Sequence, residues 1–197
     1  MIRGVILFVA LALPIFSHAA QAPKFKVDES HSTVGFKIKH LMIANVSGRF
    51  NKFNGTFSYD EKTGKLENLE VKADASSIDT NEPKRDNHLK GSDFFDVEKY
   101  PSITFVSKTV DYKAKKPVRI MGNLTIHGQT KPIVLAVNFK GSAKDPWGNN
   151  RLVFEANSKI NRKDFGLTWN KALESGGVLV GDEVSIVIDG QAVEDKQ

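Results

Sequence analysis

Val34-Gly35-Phe36-Lys37-Ile38-Lys39-His40 is the stretch whose reading decides the fold. Apolar and polar side chains alternate with period two. Val34, Phe36, Ile38 and His40 therefore share one face of an extended strand, and Lys37 and Lys39 the other. His40 falls on the apolar side. The alternation recurs on both flanks, in Phe25-Lys26-Val27 before it and in Gly48-Arg49-Phe50 and Phe53-Asn54-Gly55-Thr56-Phe57-Ser58-Tyr59 after it. Phe50 and Phe53 are out of phase, and a bulge at Asn51-Lys52 restores the register. Glu61 to Lys65 is a turn, and Leu66 to Ile78 reads as one strand with Leu69, Val71, Ala73 and Ala75 on a common face.

The C-terminal half repeats the pattern. Ile103 and Phe105 start a strand, and Tyr112 to Pro117 makes a charged turn. Val118 to Ile126 alternates throughout, and Ile133 to Phe139, Leu152 to Ile160 and Val184 to Ile188 follow, separated by Gly, Pro and Asn turns. Residues 76–106 break the rule. There Asp79, Thr80, Asn81 and Pro83 offer capping and turn chemistry, and Leu89, Phe94 and Phe95 are spaced for one side of a short helix near residues 82–96. Short strands with turn punctuation predict an all-β sandwich or barrel, with the 76–106 segment as a lid or wall of an apolar space.

Composition narrows the class. The chain has 197 residues, a formal net charge of +5 and no cysteine, so its core must close without disulfides and thiol chemistry is excluded. The lysines are dispersed along strand faces without interleaved aromatics, which speaks against a nucleic-acid partner. Arg3, the apolar run Val5 to Phe16 and the small residues Ser17 to Ala20 describe a signal peptide cleaved after Ala19. The run is too short for a membrane span of about 20 residues, so a retained anchor is the lesser reading. Residues 1–19 are then the signal, and 20–197 form one domain. Lys and Glu crowd the polar strand faces and aromatic girdles are missing, which favours a water-soluble barrel over one inserted in a membrane.

Catalytic groups are sparse. Asp28-x-x-His31 and Asp86-x-His88 are weak metal spacings without a specific ligand signature, and mutual hydrogen bonding is the simpler reading of Asp28 and His31. No serine elbow and no phosphate loop occur, so neither a metal nor a cofactor is called for. A binding module asks less: a water-free cavity with apolar lining and a few polar groups at its mouth. Phe36, Ile38, Phe50, Phe53, Leu89, Phe94, Phe95 and Phe105 supply lining, and Arg85, His40 and His88 supply a polar end. Each Phe taken singly is ordinary core, and Arg85 beside Asp86 reads first as a salt bridge. Gly35, Gly55, Ala73, Ala75, Gly122 and Ala156 are small enough to leave interior space.

Five ordered blocks resemble the YceI-like family. They are Asp28-x-x-His31-Ser32-x-Val34-x-Phe36-x-Ile38-x-His40-Leu41 with Gly48-x-Phe50-x-x-Phe53-x-Gly55; the central Ser77 to Phe105 block with Arg85-Asp86-x-His88-Leu89; Gly122 to Pro132; Ile160-Asn161-Arg162-x-Asp164-Phe165-Gly166; and Val180-Gly181-Asp182-x-Val184. The resemblance implies a lipocalin-like, extended eight-stranded antiparallel barrel around an apolar tunnel. It further implies a periplasmic location, a bound isoprenoid such as a quinone or polyprenyl lipid, and no catalytic residues. Met42 departs from the family pattern and is expected to narrow one mouth. An enzyme acting on an apolar substrate through His40 or His88, or a scavenger of lipophilic toxic compounds, are the alternatives. A homodimer is compatible with the sequence.

Overall fold

The computed structural model describes residues 22–174 and 176–196, so the signal segment expected at 1–19 lies outside the described residues. Within them every strand joins one sheet. The strands are β1 (Lys24–Val27), β2 (Thr33–His40), β3 (Ala44–Phe50), β4 (Phe53–Asp60), β5 (Lys65–Asp74), β6 (Ile78–Asp79), β7 (Ser102–Lys113), β8 (Lys116–Ile126), β9 (Gln129–Lys144), β10 (Asn150–Asn161) and β11 (Val180–Glu194).

Eleven strands make eight staves. β1 and β2 are one stave interrupted by a turn at Glu29–His31, because both pair with β11, at Val27↔Ala192 and Ile38↔Val184. β3 and β4 are likewise one stave, pairing with β2 and β1 respectively. β6 is a two-residue addition to β3. Each stave pairs antiparallel with its sequence neighbour, and β11 closes the ring on β1 and β2. The result is a closed eight-strand antiparallel barrel of up-and-down order, in which no long sheet edge is left unpaired.

Two local devices keep the apolar side chains inward. The break at Asn51-Lys52 lets Phe50 and Phe53 both be buried; the Asn51 N–H donates to the Ser77 carbonyl and the Lys52 carbonyl accepts from the Asp74 N–H at the end of β5. In β5 the register slips opposite Thr56/Ser58 and Asn68 takes φ +56°, so Leu66 and Leu69 both face the interior despite their odd spacing. Outward positions such as Lys37, Lys72, Arg119, Lys140 and Glu155 are exposed. A charged outside around an apolar inside is the reverse of a barrel facing lipid.

The expected strand over Leu66 to Ile78 is shorter than its pattern. β5 ends at Asp74, whose carboxylate accepts from the Ser76 N–H and turns the chain through Ala75–Ser77. The expected helix near 82–96 is also shorter. Helix α1 spans Pro83–Lys90, capped by Glu82, which accepts from the Lys84 and Arg85 N–H groups at 3.2 and 2.5 Å. Phe94 and Phe95 lie beyond it. Hydrogen bonds from Phe94 to the Gly91 carbonyl and from Phe95 to the Leu89 carbonyl fold them back, so a turn brings them beside Leu89.

Strand directions place both long connections, 75–101 and 162–179, at the end of the barrel that carries the β2–β3 turn. At the opposite end Arg151 donates to Asp28 at 2.7 Å and to Asp145 at 3.0 Å, and Asp28 also meets His31 at 2.9 Å. Asp28 and His31 thus satisfy each other. Burial works against ionisation of both aspartates, but hydrogen bonds from Ser30, Arg151 and His31 outweigh it at Asp28 and hold that carboxyl well below its usual range. Bonds from Asn149 and Arg151 bring Asp145 to about 2. Both folded values lie below the unfolded value of about 3.9, so this stabilisation is complete above pH ~4 and is lost as pH falls through the folded values. Arg151→Met is expected to lower Tm at pH 7 and to flatten its decline between about pH 4 and pH 2. Thermal melts across that range check this, and an unchanged acid slope would contradict it.

Candidate functional site

Period-two alternation on eight closed staves sends one side chain in two to a common interior. At the end away from the long connections that interior is filled. Phe25 stacks on Phe57 at 5.7 Å, Phe154 meets Phe57 edge-on at 6.3 Å, and Tyr59 packs on Phe139 at 5.2 Å, with Leu152 and Ala192 fully buried against them. Above this floor the filling stops. A cavity of about 370 Å³ begins over Phe57 and Phe154, passes Ala156, Leu135, Leu124 and Ile188, and continues between Phe36, Phe53 and Phe105. Its wall is almost wholly aliphatic and aromatic.

The two long connections roof it. From the first, Leu89, Phe94 and Phe95 face the cavity, and Phe95 meets Phe50 edge-on at 5.8 Å. From the second comes Trp169, whose ring lies 4.9 Å from that of His88 and 5.2 Å from that of Phe94. The roof is therefore an aromatic contact between two insertions. Arg162, buried at the root of the second, holds it in place. Its guanidinium donates to the carbonyls of Gly181, Leu167 and Trp169 and reaches Asp182. Burial lowers its pKa and Asp182 opposes that shift. Asn170 completes the root by exchanging two hydrogen bonds with Val180.

The ionisable groups Arg85, His88, His40 and Arg162 border the cavity at its roofed end, while Ser32 and Tyr59 border it lower down. Arg85 donates through Nε to Thr80 Oγ1 and through Nη2 to the Thr80 carbonyl, both at 2.7 Å. The Thr80 hydroxyl and N–H in turn donate to Asp86, at 2.5 and 2.9 Å. Arg85 and Asp86 are thus coupled through buried Thr80 and not by the direct salt bridge that their adjacency suggests. His88 hydrogen-bonds Asp93 through Nε2 at 2.9 Å, so Asp86 and His88 face different partners and do not converge on a metal. Among the described residues no group of three or more His, Asp or Glu side chains is placed to hold one.

All eleven residues singled out in the sequence border this one cavity: Phe36, Ile38, His40, Phe50 and Phe53 from β2 to β4, Arg85, His88, Leu89, Phe94 and Phe95 from the roof, and Phe105 from β7. Sequence reasoning passed over Thr80, Leu167 and Trp169. The signal for the last two was an apolar and aromatic run, Phe165-Gly166-Leu167-Thr168-Trp169, in a stretch with turn chemistry. Met42 does not narrow the mouth. It is half exposed and borders a separate surface depression with Lys37, Lys39 and Asn45.

The small residues divide. Ala73 and Ala156 do leave room on the cavity wall, whereas Ala75 is buried off it. A Cβ on Gly122 would come within 2.5 Å of the Phe105 ring, and one on Gly35 would meet the Val187 carbonyl across the sheet at 3.3 Å. Gly48 and Gly190 work as Gly122 does, each receiving a Phe ring, Phe36 and Phe154 respectively. Glycine here lets an aromatic ring lie flat against the wall.

An eight-strand antiparallel barrel with an apolar interior, filled at one end and roofed by two insertions at the other, defines the class of lipocalin-like barrels. The chain belongs to the YceI-like domain family, whose model matches residues 25–192. It is 37% identical to Protein YceI of Salmonella newport over 191 residues, 96% of each chain. The crystal structure of the Campylobacter jejuni YCEI protein, 35% identical, covers 86% of this chain and 96% of its own with a TM-score of 0.70. A polyisoprenoid binding domain from Saccharophagus degradans, implicated in plant cell wall breakdown, shares the fold at 14% identity and a TM-score of 0.65, over 87% of this chain and 98% of its own.

The glycine pairs yield a test. Gly190→Ala places a methyl 2.4 Å from Phe154 and forces the ring off the wall, at a cost of about 1–3 kcal/mol. In a Phe154→Ala background the same change is expected to be nearly neutral. A double-mutant cycle by denaturant unfolding reads the difference, and additive losses would refute the pairing.

Proposed function

We propose that the protein is a non-catalytic carrier or store for one long apolar isoprenoid, a quinone or polyprenyl lipid, held inside the barrel in the periplasm. The observation that carries this reading is the cavity itself, an apolar space of about 370 Å³ in a barrel wide enough to have been filled by its own side chains. Phe36, Ile38, Phe50, Phe53, Leu89, Phe94, Phe95 and Phe105 contact the chain of the ligand. Arg85, His88 and His40 meet its polar head. Arg85 suits that role because Thr80 takes Nε and Nη2 while Nη1 carries no hydrogen bond to any described residue. The resemblance of the fold to a polyisoprenoid binding domain supports the ligand class, and the signal-like segment Arg3 to Ala19 supports export.

A hydrolase or isomerase reading has one observation in its favour, the His88–Asp93 pair at 2.9 Å beside the cavity. Both side chains are about half exposed, and among the described residues no nucleophile is hydrogen-bonded to either. An imidazole open to water and lacking a second reacting group does not make a catalytic set for an apolar substrate.

Mass spectrometry on the protein purified from an exporting bacterium tests the proposal. Native spectra are expected to show one isoprenoid per chain, organic extraction to identify it, and the intact mass to begin at Ala20. Ala156→Phe fills the middle of the cavity and is expected to abolish the adduct while circular dichroism stays unchanged. An empty wild-type protein that also takes up no added quinone or polyprenol overturns the proposal. Arg85→Met is expected to weaken retention of ligands with an anionic or carbonyl head by roughly tenfold and to spare plain hydrocarbon chains, the loss expected for one charge-assisted hydrogen bond.

A further inference from the structure

The turn between β2 and β3 is built from residues that suit neither its backbone nor its solvent. Leu41 and Met42 stand consecutively at φ +53° and +63°, the left-handed region that Gly and Asn occupy with least strain, and the Ile43 N–H closes the turn on the His40 carbonyl. Their side chains, with that of Ile43, point into water. Leu41 is 42% exposed, Met42 53% and Ile43 85%. An Asn-Gly turn would relieve both costs.

Its position is specific. The preceding residue, His40, lines the cavity, as does Leu179, whose carbonyl accepts the Leu41 N–H at 2.9 Å. The apolar tip is thus continuous with the roofed end of the barrel, opposite the end that aromatic packing fills. Behind it on the outer face of β2 stand Lys37 and Lys39, both exposed and without an ion pair to any described residue. The acids across the seam are engaged, Glu183 by Lys159 at 2.8 Å and Asp182 by Lys163 at 2.8 Å. Three apolar side chains with two free cations one to three residue pairs behind them match the layering of a bilayer surface, acyl boundary first and phosphate next. They are far too few for a stable protein interface, which needs about 800 Å² from each partner.

We propose that Leu41, Met42 and Ile43 form a membrane-docking tip that inserts into the outer layer of a phospholipid bilayer, with Lys37 and Lys39 at head-group level, and so sets the mouth of the cavity against the lipid. The inference rests on the carrier reading above. A ligand that partitions into membranes then passes between bilayer and barrel without crossing water.

The test is flotation of the purified protein with vesicles of phosphatidylethanolamine and phosphatidylglycerol, comparing wild type with the triple variant Leu41→Asn, Met42→Gly, Ile43→Ser. The variant gives the turn the residues its backbone favours, so its Tm is expected to hold or rise. Wild type is expected to float, to keep floating at high salt because the contact is apolar, and to lose at least about tenfold in bound fraction when the tip is replaced. Wild type that stays in solution, or a variant that floats equally well, overturns the proposal. So does a tip-dependent dimer in solution without flotation, which would make the tip a contact between copies. Uptake of a short-chain quinone from solution, measured on both proteins, separates the two readings. If neither protein takes it up, the carrier reading fails whatever the flotation shows. If both take it up alike and flotation ignores the tip, only the docking inference fails.

Discussion

Closure of the barrel is the constraint on which everything else depends. β11 pairs with β10 along one edge and divides its other edge between β2, over residues 180–189, and β1, over residues 192–194. That seam joins the first and last described strands and closes the barrel. It also fixes the register of the β1–β2 stave, and a slip of one residue there would send Val34, Phe36, Ile38 and His40 to water and Lys37 and Lys39 inside. Closure turns the period-two pattern of each strand into a shared interior. Without it the same alternation would make only a sheet with one greasy face.

The two ends then use that interior differently. At the closed end aromatic stacking fills the space, and Arg151 ties the β1–β2 turn to the Asp145 turn across the outside. At the other end the chain supplies two insertions, and both are anchored by buried polar groups. Thr80 with Arg85 and Asp86 fixes the first; Arg162 with three carbonyls fixes the second. The contrast between the two arginines is instructive. Arg162 spends its donors on the backbone and serves as a fastener, whereas Arg85 keeps one arm free beside the cavity.

Most of the barrel was legible because a strand buried on one face must alternate, and eight of them did. The six residues on strands that border the cavity, Phe36, Ile38, His40, Phe50, Phe53 and Phe105, were legible for the same reason, since a closed sheet admits a single inside. What escaped lies where periodicity gives no information. The helix was drawn too long because Leu89, Phe94 and Phe95 fit a helical spacing, whereas Gly91 ends α1 and hydrogen bonds of the following turn bring the same three side chains together. Trp169 escaped because it lies in a loop whose course is set by Arg162, a tertiary anchor with no local signal. Arg85 and Asp86 read as a pair because charges adjacent in sequence suggest one, and Thr80 intervenes only in three dimensions. Of the glycines read as free space, Gly122 seats the Phe105 ring while Gly35 and Gly55 lie against neighbouring strands, a cross-strand fact that neither strand alone records.

The energetics argue that the cavity is a feature the fold sustains at some cost. An apolar space of about 370 Å³ left unfilled forgoes the packing contacts that a filled core would make, and so lowers stability relative to one. The residues that would close it are few. Ala73 and Ala156 are small where larger side chains would meet across the interior, and Gly122 and Gly190 let Phe105 and Phe154 lie against the wall instead of across it. A barrel selected only for stability has no reason to combine these choices. A barrel that binds an apolar guest does, because the guest restores the missing contacts and so links stability to occupancy.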